Sequence, residues 1–172
     1  MHLWAMLPLK KLTNHISSFS PFFMDNKVAL FFAYTIAYII VTLVGVYILN
    51  LPGWITESYD LVKEFYIKNG AKNIIIEWFV FLVYIGLAHI IITHFKIKDN
   101  LQKIIVISFV TLILSTFASL IFTNTPSLRG TFFQKWFIQT GIKSIIYDII
   151  IITTMFIVFH KLLCKFKYHN LI

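Results

Sequence analysis

The sequence predicts an all-α integral membrane protein. Its four transmembrane helices form a tandem duplication of a two-helix unit, with a pseudo-twofold axis along the membrane normal. Three observations carry this expectation. The 172-residue chain is 59% hydrophobic and only 13% charged, with mean hydropathy +0.83, whereas soluble domains carry about 25% charge. Its apolar residues fall into four blocks, each long enough for the roughly 20 residues that a helix needs to cross a bilayer. The chain also repeats itself: between Ile67 and Lys96, eight of thirty positions recur 71 residues later.

The recurring residues are Ile67, Gly70, Lys72, Ile74, Ile75, His89, Phe95 and Lys96. At the same offset Glu77 is matched by Asp148 and Asn73 by Ser144. Isoleucine matches are expected by chance in an Ile-rich chain; the glycine, lysine, acid, histidine and Phe-Lys matches are not. A second set recurs at an offset of 74: Asp25-Asn26 with Asp99-Asn100, Thr42 with Thr116, Asn50 with Asn124, and Pro52 with Pro126. The change from 74 to 71 implies a three-residue deletion in the second copy's connecting loop.

Residues 1–24 form a basic N-terminal segment carrying Lys10 and Lys11. Its apolar stretch, Trp4 to Leu9, is too short for the core of a signal peptide. Repeat 1 is 25–98, with spans at 28–51 and 74–95. Asn50-Leu51-Pro52-Gly53 ends the first span, because proline removes a backbone donor and clashes with the preceding turn. Thr56 to Asn69 reads as a surface helix with Thr56 as its N-cap and Gly70 as its stop. Repeat 2 is 99–172, with spans at 104–123 and 142–163. The third span is uncharged and rich in small hydroxyls, among them Ser108, Thr111 and Ser115, which let helices approach closely in lipid.

The candidate functional residues are the polar groups within or beside the spans. Glu77 lies three residues into the second span and Asp148 six into the fourth, about 5 and 9 Å deep at 1.5 Å per residue. A charge in a bilayer is costly and marks function by default. The functional reading pairs the two acids across the axis as a cation or proton site. The structural reading leaves them shallow, paired with Lys72 and Lys143, each five residues earlier, or with water, and fixing helix register. His89 and His160 lie twelve residues beyond the acids, about 120° around a helix, so acid and histidine share no face. They read as hydrogen-bonding partners between helices. His89 and His94 are five apart, unlike the i, i+4 spacing of a zinc pair, so no metal is expected. Cys164 is the single cysteine; it stands beside basic residues as either a lipid-facing thiol or an acylation site.

No nucleophile elbow, phosphate-binding glycine loop or His-Glu-x-x-His motif is present, so no catalysis and no cofactor are expected. The +8 net charge sits in small groups at helix ends. That pattern suits membrane topology and lipid head groups rather than nucleic acid. The expected partners are the bilayer and other membrane subunits or a second copy. The leading expectation for function is a structural or assembly subunit. Its rival is a small channel or transporter passing protons or cations by Glu77 and Asp148, and a lipid-directed enzyme is a third class. Nine lysines lie on the side of the termini, against six lysines and arginines on the other. This predicts both termini on the cytoplasmic, or equivalent, side. A reporter fused to either terminus is expected there, and one found across the membrane overturns the assignment.

Overall fold

The computed structural model describes residues 26–165. The expectations for the basic segment 1–24, for Phe166-Lys167 and for the tail beyond lie outside those residues. Among the described residues every regular element is helical. Helix α1 is Asn26–Val41, prolonged by a wider π-helical segment over Thr42–Ile48. Then come α2 (Leu51–Thr56) and α3 (Tyr59–Lys63), the latter prolonged in the same way over Glu64–Lys68. They are followed by α4 (Gly70–His94), α5 (Asn100–Asn124), a 3-10 turn at Pro126–Leu128, α6 (Phe132–Thr140) and α7 (Ile142–Lys165). Four helices are long and apolar enough to cross a membrane: Val28–Ile48, Gly70–His94, Asn100–Asn124 and Ile142–Lys165. They correspond to the four predicted spans.

Helix boundaries follow local chemistry. The first span stops where Asn50 adopts a left-handed conformation, φ 48°, just before Pro52 enters the first turn of α2. A side chain at Gly53 would stand 2.7 Å from the Asn50 side-chain amide, so glycine lets that amide fold over the turn. Asp99 caps α5 by accepting the Gln102 backbone N–H at 3.0 Å, which satisfies one of the orphan donors of a helix start.

Three sequence-based boundaries need correction. Thr56 does not cap a following helix. It ends α2, its hydroxyl donating to the Pro52 carbonyl at 2.6 Å, because a threonine hydroxyl bonds back four residues as readily as it caps forward. Left-handed Glu57 then breaks the chain, and α3 starts at Tyr59. Gly70 is not a stop but the first residue of α4. The preceding turn closes at Asn69, whose N–H reaches the Glu64 carbonyl at 3.2 Å. The third span starts at Asn100 rather than 104 and takes in Lys103, whose side chain is buried.

The two halves share an element order: long helix, proline-led turn, short helix, long helix. They do not share burial. In α1 and α7, 44% and 39% of the apolar stretch is buried, against 22% in each of α4 and α5. An exact twofold would instead match α1 with α5 and α4 with α7. Helix α7 is the centre of the bundle, packing against α1, α2 and α5. It meets α1 along a seam of small residues. Ala33 and Ala37 are 0% exposed, and Ala29 lies on the same line; alanines every four residues stack on one face and let backbones come close. At Gly45 an added Cβ would stand 3.0 Å from Ile151 Cδ1. From α7, Ile151, Ile152, Met155 and Phe156 fill the opposite side. Phe32, Ile39, Ile90 and Phe109 point outward, as suits contact with hydrocarbon.

Ala33→Leu is expected to overpack this seam and to lower stability by about 1–3 kcal/mol. Ile39→Leu, on the exposed face of α1, is expected to stay within about 0.5 kcal/mol of the parent. Unfolding of both variants in detergent micelles measures the difference.

Candidate functional site

The site forms at the end of the bundle that carries α2, α3 and α6. Because α4 begins at Gly70, Glu77 lies seven residues into its helix, about 10 Å along it, rather than the three residues expected from the span boundary. Asp148 lies six residues into α7, about 9 Å along. Both acids therefore sit at nearly the same depth, and both line one cavity of about 510 Å³. Its walls are supplied by α4, α5, α6 and α7, with Phe65 and Tyr66 from the end of α3.

A carboxylate withdrawn from water needs donors, and here hydroxyls provide them. Tyr66 donates to Glu77 Oε1 at 2.6 Å. Tyr38, from α1, donates to Glu77 Oε2 at 3.1 Å and shares its hydrogen with the Ile74 carbonyl at 2.8 Å. The phenol oxygens of Tyr66 and Tyr147 are 3.0 Å apart. A phenol has one hydrogen, and that of Tyr66 goes to Glu77, so Tyr147 donates to Tyr66. A second relay serves the other acid. Ser115 donates to Asp148 Oδ2 at 2.7 Å, and Tyr84, 3.2 Å from the serine oxygen, donates to Ser115 by the same reasoning. Burial, followed by the charge of Glu77, pushes the Tyr66 phenol well above the ordinary tyrosine value. It therefore stays protonated and remains a donor.

Tyr66 reaches the acid because its segment is anchored. The end of a short helix leaves carbonyls without helical partners. Tyr47 donates its phenol hydrogen to the Tyr66 carbonyl at 3.0 Å, and the Asn73 amide donates to the Phe65 carbonyl at 3.0 Å.

The lysines do not partner the acids. Lys143 forms an ion pair with Glu57 at 2.6 Å, both side chains being well exposed, and Lys72 is exposed at the start of α4. Among the described residues no lysine, arginine or histidine lines the cavity. His89 lines a separate cavity of about 280 Å³ bounded by α1, α4 and α7, beside Tyr34 and Phe156. His160 lies half-buried near the far end of α7, its Nδ1 3.8 Å from Cys164 Sγ. The thiol of Cys164 is exposed. Among the described residues no group of three or more His, Cys, Asp and Glu converges as a metal site.

The sequence pointed to both acids but not to their donors. Tyr38, Tyr66 and Ser115 were visible as polar-tipped, interfacial and small residues, without any indication that they meet. The usable clue was physical: an acid in an apolar span with its lysine outside must draw hydroxyls from neighbouring helices, and Tyr147 adjoins Asp148.

Tyr66→Phe leaves Glu77 Oε1 without this donor and Tyr147 without its acceptor, so a loss of about 1–3 kcal/mol is expected in micelle unfolding. Below about pH 10 the phenol is neutral in both folded and unfolded chains. Above that value only the unfolded one ionises, so its contribution to stability falls as pH rises. Absorbance titration through that range should find as many ionising tyrosines in the variant as in the parent.

No protein-family model matches the chain, and neither a curated protein nor a solved structure matches it.

Proposed function

We propose that the chain is a multi-pass membrane protein that takes up a cation or proton between Glu77 and Asp148, with no covalent chemistry. The observation that carries this is the convergence of both acids on one cavity that no basic side chain among the described residues enters. Hydroxyls satisfy the acids' hydrogen bonds but leave their charge uncancelled, which is what an intramembrane cation site needs. A structural or assembly role, the leading expectation from the sequence, has the acids partnered by Lys72 and Lys143 or by water, and the lysine form of it loses support. Lys143 instead pairs with Glu57, and Lys72 is exposed.

Tandem duplication remains part of the proposal. Supporting it are the repeated element order and the placement of Glu77 and Asp148 at matching depths on corresponding helices. With four spans both termini share a side, and the lysine count favours the cytoplasmic one. The partners are the bilayer and other membrane subunits or a second copy.

Proteoliposomes holding the purified protein are expected to show proton or monovalent-cation flux. Glu77→Gln together with Asp148→Asn should abolish it while the protein still inserts, because an amide keeps a hydrogen-bonding oxygen but not the charge. Absence in the parent protein of both such flux and the binding of any cation, or equal flux in the double variant, overturns the cation-handling role and returns the assembly role to first place.

A further inference from the structure

We infer that the cavity between Glu77 and Asp148 takes a lipophilic organic cation, such as a hydrophobic amine or an onium ion, and admits it sideways from the bilayer. The inference rests on the cation-handling role and names its substrate class.

Size comes first. A cavity of about 510 Å³ falls within the roughly 300–1,000 Å³ of small-molecule sites. An inorganic ion stripped of water needs oxygen ligands on most sides. Here the oxygens are confined to the two acids and the phenols of Tyr66, Tyr84 and Tyr147, while the remaining wall is apolar. Such a wall suits a ligand that is itself mostly hydrocarbon.

Charge and shape come next. Among the described residues no cationic side chain lines the cavity beside the acids, and its lining includes the rings of Phe122, Phe133 and Trp136. Aromatic faces attract a positive centre through their quadrupole, and organic onium ions are the ligands for which such surroundings serve best. A lipid acyl chain would fill the space but offer nothing to the acids. An anionic head group would be repelled by them.

The way in is also visible. Val83 on α4 and Phe117 on α5 both line the cavity, yet they are 56% and 61% exposed. The mouth therefore lies between α4 and α5, the two least buried helices, on a surface made for hydrocarbon. A permanently charged but greasy molecule concentrates at the membrane, where this mouth opens.

The test uses the whole purified protein in detergent and three probes of similar shape: tetraphenylphosphonium, neutral triphenylphosphine oxide and anionic tetraphenylborate. Calorimetry, with quenching of Trp136 fluorescence assigned by Trp136→Phe, reads binding. Saturable binding of tetraphenylphosphonium alone is expected. Glu77→Gln or Asp148→Asn should weaken it roughly 30-fold or more, as loss of one partner in a buried charge pair does. Ala118→Leu, which narrows the cavity without touching an acid, should weaken it as well. The comparison among probes needs no variant, so a misfolded mutant does not shelter the inference. Equal binding of all three probes makes the cavity a nonselective apolar site and overturns the inference. Acid-dependent proton or alkali-ion flux without phosphonium binding overturns the organic-cation assignment alone. Neither flux nor phosphonium binding overturns the cation-handling role along with it.

Discussion

Two carboxyl groups held inside an apolar bundle, with no basic side chain of the described residues lining their cavity, are the constraint on which the rest of the site depends. An acid so placed must be hydrogen-bonded or it destabilises the fold by several kcal/mol. The chain meets this with neutral donors drawn from three other segments: Tyr38 from α1, Tyr66 from the end of α3 and Ser115 from α5, the last backed by Tyr84. That choice decides the chemistry. Lysine partners would have cancelled the charge and left a structural strut. Hydroxyl partners satisfy the carboxyl groups without bringing a positive charge into the cavity.

The bundle divides the work between its helices. The alanine line on α1 and the large apolar face of α7 form a tight, buried pair. Helices α4 and α5 are the loosely covered pair, and the cavity opens along them. A well-buried pair and an accessible pair of helices thus arise in a chain whose two halves share an element order, so similarity along the sequence carries through to helix order but not to packing.

The sequence made the helices legible because hydropathy over some twenty residues is a strong, local property. Glu77 and Asp148 were legible for the opposite reason: a charge in such a stretch stands out. The repeat offset linked them, and they do line one cavity. What the sequence withheld was partnership. Tyr38 lies 39 residues from Glu77, and Ser115 lies 33 from Asp148, so their meeting depends on how helices rotate against one another. No periodicity states that rotation. The proximity of Lys72 and Lys143 in sequence misled in the same way, since five residues along a helix is not a shared face. Boundaries were blurred by residues with two uses, such as Thr56, whose hydroxyl closes one helix instead of opening the next.

The direction of the hydroxyl hydrogens has a consequence of its own. Tyr147 donates to Tyr66 and Tyr66 to Glu77, so the relay is polarised toward the acid on α4. Each link is an O–H bond, so the relay can reverse by rotation alone: were Tyr66 to turn its hydrogen towards Tyr147, Tyr147 would give its own to another acceptor. A line of phenols is therefore a set of rotors whose settings depend on one another, with every heavy atom left where it stands.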